Sequence, residues 1–257
     1  MILLIDCDIV TYRIGYTTNN DEEWIALART DTLIEDICLE MKSEEYKCFL
    51  TSTDKSNFRY KIYPEYKANR KAEKPLHYEA IREHLVKAHG AEIIYGMEAD
   101  DALGIEQNEE TCICSIDKDL YQIEGWHYNF VTKEKFYITK EEALCNFYKQ
   151  CLIGDKGTDN IPGCPGIGKR IADKLLVPEM SEKEMLEVVL KTYEQQYKKK
   201  GLPNWKEDFL RNARLIKLKR KWGEELWEIP NFGSCETDKG SESTTGMQEE
   251  NTQSTEQ

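Results

Sequence analysis

Ile2-Leu3-Leu4-Ile5-Asp6 is an unbroken apolar run that stops at an acid. Four large aliphatics in a row leave no polar face, so the segment reads as a strand buried on both sides, as in a parallel sheet. Its carboxyl end presents Asp6, with Asp8 two residues on. The pattern recurs at Cys112 to Ile116, which ends at Asp117 with Asp119 following. Tyr46 to Thr51 and Ala91 to Tyr95 read as further strands. Helical spacing lies between them. Residues 21–43 carry Trp24, Leu27, Ala28, Ile34, Ile37 and Met41, and Leu76 to His89 reads as a helix closed by Gly90. Glu98 to Gln107 reads as a helix whose first turn holds Glu98, Asp100 and Asp101. This alternation predicts an α/β fold with a mostly parallel sheet flanked by helices. The acids then gather at the carboxyl ends of strands, where open α/β sheets place their sites.

Working outward, residues 52–75 form a long polar, basic and aromatic connection punctuated by Pro64 and Pro75. Loops of that length are usually functional or disordered. Residues 126–138 alternate as a hairpin does, and Lys140 to Ile153 reads as a helix. After Gly154 the pattern becomes helical, at about 169–177, 181–200 and 204–222. The expected division is a catalytic α/β part over 1–153, a helical module over 154–230 and a disordered acidic tail over 231–257.

The 257-residue chain has no apolar run near the roughly 20 residues of a membrane span. Met1 to Asp6 lacks a basic leader and a cleavage site, so it reads as a first strand and not a signal peptide. The nine cysteines are irregularly spaced, with no Cys-x-x-Cys pair. Reduced thiols in a cytosol are the preferred reading, and a zinc site on cysteines is disfavoured. The net charge of −13 argues against binding phosphates, but its distribution matters more. The last 27 residues hold six acids and one lysine, and nine more carboxylates sit in the clusters named here. Arg59 to Lys74 has six bases against two acids, and Lys198 to Lys221 has ten against two. Either stripe can meet phosphates or serve as a solvated face.

The acids form four groups: Asp6 with Asp8, Glu98 with Asp100 and Asp101, Asp117 with Asp119, and Asp155 with Asp159. Each alone has an ordinary explanation as a cap, a helix-dipole partner or a turn. Together they point to one shared site, neutralised by hard divalent cations on oxygen ligands. Two such ions about 4 Å apart are the usual clamp for phosphodiester hydrolysis. Gly163-Cys-Pro-Gly-Ile-Gly-Lys169 has a different chemistry. Gly163, Gly166 and Gly168 permit tight turning and close approach to a phosphate, and Lys169, Arg170 and Lys174 add charge at the following helix. Carbonyls in such a turn can also hold a monovalent cation such as K⁺. In Tyr66-Lys-Ala-Asn-Arg70, Lys67 and Arg70 are spaced to share a helical face and reach a scissile phosphate, and Tyr66 is suited to stack on a base.

These motifs, in order from Met1 to about Leu176, closely resemble the 5′-nuclease superfamily, which includes bacteriophage 5′→3′ exonucleases, flap endonucleases and the 5′-nuclease domain of bacterial family-A DNA polymerases. The resemblance implies a PIN-like α/β domain and a helix–three-turn–helix DNA-binding element. It implies two Mg²⁺ or Mn²⁺ ions, and an arch or clamp over about residues 59–90 for a single-stranded 5′ end. It also implies that Asp6, Asp8, Glu98, Asp100, Asp101, Asp117, Asp119, Asp155 and Asp159 are metal-site acids and that Lys67 and Arg70 are arch bases. Arg13 becomes a basic residue near the substrate. The expected partner is DNA as a 5′ flap or a nicked or branched duplex, with an RNA–DNA hybrid as a further substrate. A monomer in the cytoplasm, or in the host cytoplasm for a phage-encoded chain, is expected. Three departures stand out: Asp155 and Asp159 are four apart where the family spaces such a pair by three, Asp8 is often not acidic there, and the arch segment is short.

Two other readings compete. Asp6-Cys-Asp8-Ile-Val10 with Gly154-Asp155…Asp159 fits the acidic motifs of haloacid-dehalogenase-type phosphatases, with Asp6 as covalent nucleophile. That leaves Tyr66–Arg70 and the glycine turn without a role. A catalytically silent, structure-specific DNA-binding protein is the other, and the intact acid set argues against it.

Overall fold

The computed structural model describes residues 1–232. The expected disordered tail, beyond its first two residues, lies outside the described residues. A six-stranded sheet runs in the order β3-β2-β1-β4-β5-β6. The strands are β1 (Ile2–Asp6), β2 (Tyr46–Thr51), β3 (Glu92–Ile94), β4 (Thr111–Cys114), β5 (Gly125–Asn129) and β6 (Glu134–Ile138). All neighbours pair in parallel except β5 and β6, which form the antiparallel hairpin.

Alternation along the central strands feeds two cores. Leu3, Ile5, Cys48, Leu50, Cys112 and Cys114 face one side, under α1 (Cys7–Thr17), α2 (Glu23–Met41) and α4 (Tyr78–His89). Leu4, Phe49 and Ile113 face the other, under α5 (Ala99–Glu106). Burial on both faces is why β1 and β4 read as continuous apolar runs and not as alternating ones. The chain leaves β1 towards β2 and β3, then crosses to β4 on the opposite side of β1. This makes the carboxyl ends of β1 and β4 the point where strand order reverses, the crevice in which such sheets bind ligands.

A third core is helical. It joins α6 (Lys140–Ile153), α7 (Lys169–Leu175), α8 (Glu182–Lys200) and α9 (Trp205–Ile216) through Phe147, Tyr148, Ala172, Val189, Tyr193 and Phe209. The helix expected over 204–222 stops at Ile216. Beyond it the chain turns back to the sheet: Leu218 enters the α5 core and its N–H donates to Gln122 Oε1 at 2.9 Å. This return strap uses much of the second basic stripe internally. Lys219 Nζ donates to the Glu224 and Glu225 carbonyls, and Arg211 and Arg214 pair with Asp208 and Glu228. The stripe is therefore not a free phosphate-binding face along its length.

Candidate active site at the carboxyl ends of β1 and β4

Asp6 ends β1 and caps α1, accepting the Ile9 N–H at 3.1 Å. Its other oxygen accepts the Ser115 hydroxyl at 2.7 Å. Ser115 also accepts the Asp117 N–H at 3.0 Å, so one hydroxyl ties the ends of the two central strands together. Asp117 in turn accepts the Asp119 N–H at 2.8 Å, and Gln150 on α6 donates to Asp119 at 3.1 Å. Asp100 sits in the first turn of α5.

The electrostatics follow from burial and crowding. Burial, then the neighbouring Asp8, push the Asp6 carboxyl up to about 7. Burial with Asp117, Asp159 and Asp155 nearby puts Asp119 at about 7 as well. Asp100, half-buried beside Asp6, Asp117 and Glu98, is raised well above the carboxylate range by desolvation and these charges, and desolvation raises Asp117 too. These four acids are costly as anions unless a cation joins them. Glu98 is the opposite case. Burial alone would raise it, but Lys67 and Arg59 bring it down to about 2.

Lys67 and Arg70 arrive from α3 (Arg59–Ile62) through a turn that zips onto the Gly154–Asn160 loop. The Lys67 N–H donates to the Asp159 carbonyl at 3.0 Å. Asn69 donates to the Lys156 and Gly157 carbonyls at 2.6 and 2.9 Å. Arg70 reaches the Thr158 carbonyl at 3.1 Å and the Asp159 carboxylate at 2.7 Å. Lys67 has φ 58°, a left-handed conformation that this zipper holds in place. Its ammonium pairs with Glu98 and lies 3.8 Å from Asp159. Both bases thus face the acids. The helix that would place them on one face is absent, and the zipper aligns them instead. The segment over 59–90 is this turn, flanked by α3 and α4 and anchored by Tyr16 to the Glu73 carbonyl at 3.0 Å, so it packs against the body and does not stand free as an arch.

Four assignments change, and the first is Glu98, which pairs with Lys67 and takes the Tyr66 hydroxyl and so holds the base in place of a metal. Asp101 is fully buried, and its two oxygens take Arg59 Nη1 at 2.6 Å and Nη2 at 2.9 Å. The Lys219 and Glu98 N–H groups also donate to it, each at 3.0 Å, so its lone pairs are spent on structure and it is not a metal-facing acid. Tyr66 is 2% exposed, with its hydroxyl 2.7 Å from Asp159 and 3.0 Å from Glu98. It positions acids and cannot stack on a base. Asp8 accepts the Thr51 N–H at 3.1 Å and Arg82 at 3.0 Å, which engage it at the edge of the cluster, although burial still raises its carboxyl. Arg13 stands exposed on α1, two turns beyond Asp6.

Asp155 and Asp159 lie in a tight loop. Asp155 Oδ1 accepts the Gly157 and Thr158 N–H groups at 3.1 and 2.9 Å, and both acids line one cleft with Glu98, Asp100 and Asp119. The loop closes on itself through Gly154 (φ +68°) and Gly163 (φ +63°). A Cβ on Gly154 would lie 2.4 Å from the Ile161 carbonyl, and one on Gly163 would lie 2.4 Å from the Ile153 carbonyl. Gly166 and Gly168 are exposed at the head of α7, where Gly168, Lys169, Arg170, Ile171 and Lys174 line a shallow open surface. Lys169 pairs with Asp173 at 2.7 Å. Arg59, Arg82 and Ser115 support the site and were not singled out in the sequence; only the Ser-x-Asp spacing at 115–117 was a usable signal.

The donor set around Asp6, Asp100, Asp117, Asp119, Asp155 and Asp159 is all oxygen and under-neutralised, which fits hard divalent cations. The family model described as 5′-3′ exonuclease, N-terminal resolvase-like domain, matches residues 1–149. The 5′-3′ exonuclease of Buchnera aphidicola subsp. Acyrthosiphon pisum (strain APS) is 30% identical over 212 residues, covering 75% of this chain and 69% of that one. The DNA polymerase I of Bacillus caldotenax is 32% identical over 151 residues, which cover 48% of this chain and 16% of the polymerase. The 5′-exonuclease of bacteriophage T5, solved with zinc ions bound, shares the fold with a TM-score of 0.56 at 17% identity, over 84% of this chain and 89% of that one. The matched residues span β1 to α6 and hold Asp6, Glu98, Asp100, Asp117 and Asp119, and on that match the chain belongs to the 5′-3′ exonuclease family.

Proposed function

We propose that this chain is a metal-dependent 5′-nuclease that hydrolyses phosphodiester bonds of DNA near single-strand/duplex junctions, as a 5′→3′ exonuclease and a 5′-flap endonuclease. The observation that carries this reading is the crowding of Asp6, Asp100, Asp117 and Asp119 at the strand-order reversal, opposite Lys67. The family and the DNA polymerase relative favour DNA as the substrate.

Asp6, Asp100, Asp117 and Asp119, with Asp155 and Asp159, would hold two Mg²⁺ or Mn²⁺ ions. Such ions, when bound, supply a lowered pKa for the attacking water and neutralise charge at the leaving oxygen. The chain's own residues do the rest. Glu98 and Asp159 hold Lys67 and Arg70 on the acid side of the cleft, where an entering phosphate competes for them. Lys67 stays protonated because Glu98 and Asp159 offset its burial, so it donates to a phosphoryl oxygen as charge builds there. Tyr66 fixes the spacing of Glu98 and Asp159.

The turn between α6 and α7 is the proposed helix–three-turn–helix duplex grip. Its exposed Gly166 and Gly168 admit a backbone phosphate to the head of α7, Lys169, Arg170 and Lys174 supply charge, and carbonyls of the turn would seat K⁺. The catalytic part over 1–153 and the DNA-binding part over 154–230 belong to the same proposal, as do action as a monomer and cleavage of RNA–DNA hybrids. No described helix is long and apolar enough to cross a membrane. The phosphatase alternative fares poorly, because it gives no role to Lys67 and Arg70, which the structure turns towards the acids.

The test is one gel comparing a 5′-labelled flap, a nicked duplex and an RNA–DNA hybrid, each with Mg²⁺ and with EDTA. Mg²⁺-dependent cutting at the junction is expected. Release of inorganic phosphate from small phosphomonoesters without DNA cleavage would overturn the proposal.

A further inference from the structure

A second group of ligand-type side chains lies at the opposite end of the sheet. His84 and His89, on the last two turns of α4, both point Nε2 at Asp31 Oδ1 on α2, at 2.5 and 2.8 Å. One ligand atom from each of the three lies within 4.8 Å of the others. The imidazole rings meet edge to face, 5.8 Å apart. Nδ1 of His89 is 3.0 Å from the Tyr46 hydroxyl, at the start of β2.

We propose that Asp31, His84 and His89 form a zinc-binding site, distinct from the acid cluster and independent of the nuclease reading. The donor chemistry selects the metal. Two imidazoles with one carboxylate suit Zn²⁺, with three protein ligands and water in the remaining position. Mg²⁺ prefers the all-oxygen cluster at the other end. Both imidazoles already converge on one carboxylate oxygen, and zinc at about 2.0–2.2 Å from each ligand needs the three donors only to spread apart from these contacts. Tyr46 supplies the outer contact that fixes a metal-binding imidazole: with Nε2 on zinc, Nδ1–H donates to the tyrosine oxygen. The site is open to solvent, with side-chain exposures of 40% for Asp31 and 23% for His84, while His89 at 10% anchors it.

Separation from the acid cluster can be read along β2. Tyr46 at its amino end touches His89, and Thr51 at its carboxyl end holds Asp8, roughly 16–17 Å of strand apart. Zinc would tie α2 to α4, and α4 carries Arg82, the partner of Asp8 and of the Thr51 carbonyl at 2.6 Å. The site therefore braces the helix that supports one edge of the acid cluster.

Binding of Zn²⁺ and Co²⁺ to the full chain should be titrated with excess Mg²⁺ present to occupy oxygen sites. One equivalent of zinc is expected, with a rise in melting temperature. Co²⁺ should show visible bands of four- or five-coordination without a thiolate charge-transfer band. His84→Asn and Asp31→Asn, both at solvent-accessible positions, should each lose about a hundredfold in affinity, and Tyr46→Phe about tenfold. Cleavage of DNA in Mg²⁺ by His84→Asn should remain at the native level. Zinc affinity unchanged in both ligand variants, or no zinc retained by the native chain beside Mg²⁺, would show that the triad is only a hydrogen-bonded His–Asp cluster and overturn the proposal.

Discussion

Arg59 grips Asp101 with two parallel hydrogen bonds, and both side chains are buried. Asp100, its chain neighbour, faces other acids instead. Two consecutive helical carboxylates thus stand in opposite surroundings, one spent on an arginine and one among acids. Removing one partner of a buried pair strands the other charge, at about 3–5 kcal/mol. Asp101→Ala should therefore lower unfolding free energy by about that amount in urea. Asp100→Ala should keep or gain stability in EDTA at pH 8, because it relieves repulsion, yet abolish cleavage. Equal stability losses in the two variants would refute this division of labour.

The lysine between Glu98 and Asp159 is expected to matter more for rate than for affinity. Lys67→Ala should lower the single-turnover cleavage rate by about 10²–10³, the usual worth of one positioned donor. The dissociation constant for the same flap at fixed salt should change less. Arg70→Ala should add a binding loss, since arginine can hold phosphate through two bonds. An unchanged rate at saturating enzyme would reduce both bases to substrate collection.

Metal-free stability should depend on pH in two opposite ways. Asp6 and Asp119 sit at about 7 in the folded chain against an ordinary 3.8, so the folded state holds protons that the unfolded state releases. Their contribution is full below pH 3.8 and is lost as pH rises to about 7. Glu98, at about 2 against 4.5, contributes above pH 4.5, and that contribution is lost as pH falls towards 2. Melting in EDTA should thus be highest in weak acid and decline towards neutrality. Added Mg²⁺ should raise the melting temperature more at pH 8 than at pH 5. A metal effect independent of pH would contradict the crowding of these acids.

The two glycines that close the acid loop should behave unlike Gly168 at the head of α7. Gly154→Ala and Gly163→Ala put a Cβ against backbone at 2.4 Å, in conformations that disfavour side chains, so each should destabilise markedly. Gly168 has no heavy atom within 4 Å of an added Cβ. Gly168→Val should leave the melting curve in place and weaken duplex binding more than single-strand binding. Loss of both affinities in parallel, with the fold intact, would remove this turn as the duplex grip.

Much of this architecture was legible because buried parallel strands announce themselves. Ile2–Asp6 and Thr111–Cys114 are apolar on both faces, and each leads to an acid. Helix α1 was not legible. Cys7–Thr17 is rich in β-branched and aromatic residues of modest helix propensity, and its helix is set by the Asp6 cap and by burial against α4. The separate roles of Asp100 and Asp101 were hidden for a similar reason. Adjacent helical residues point about 100° apart, and only the return of residues 215–219 shows which one meets Arg59. Tyr66 looked like a stacking aromatic because a sequence shows ring type and not burial.

The zipper between residues 66–70 and 154–160 also sets the order in which competence arrives during synthesis. A nascent chain that has released only its sheet already carries Asp6, Asp100, Asp117 and Asp119, but Lys67 and Arg70 lack the loop that aims them, and Arg59 lacks the Leu215 carbonyl that it holds at 2.7 Å. The site is completed by residues made after the sheet, so a chain released only to the end of α6 holds the sheet's acids without the loop that aims Lys67 and Arg70.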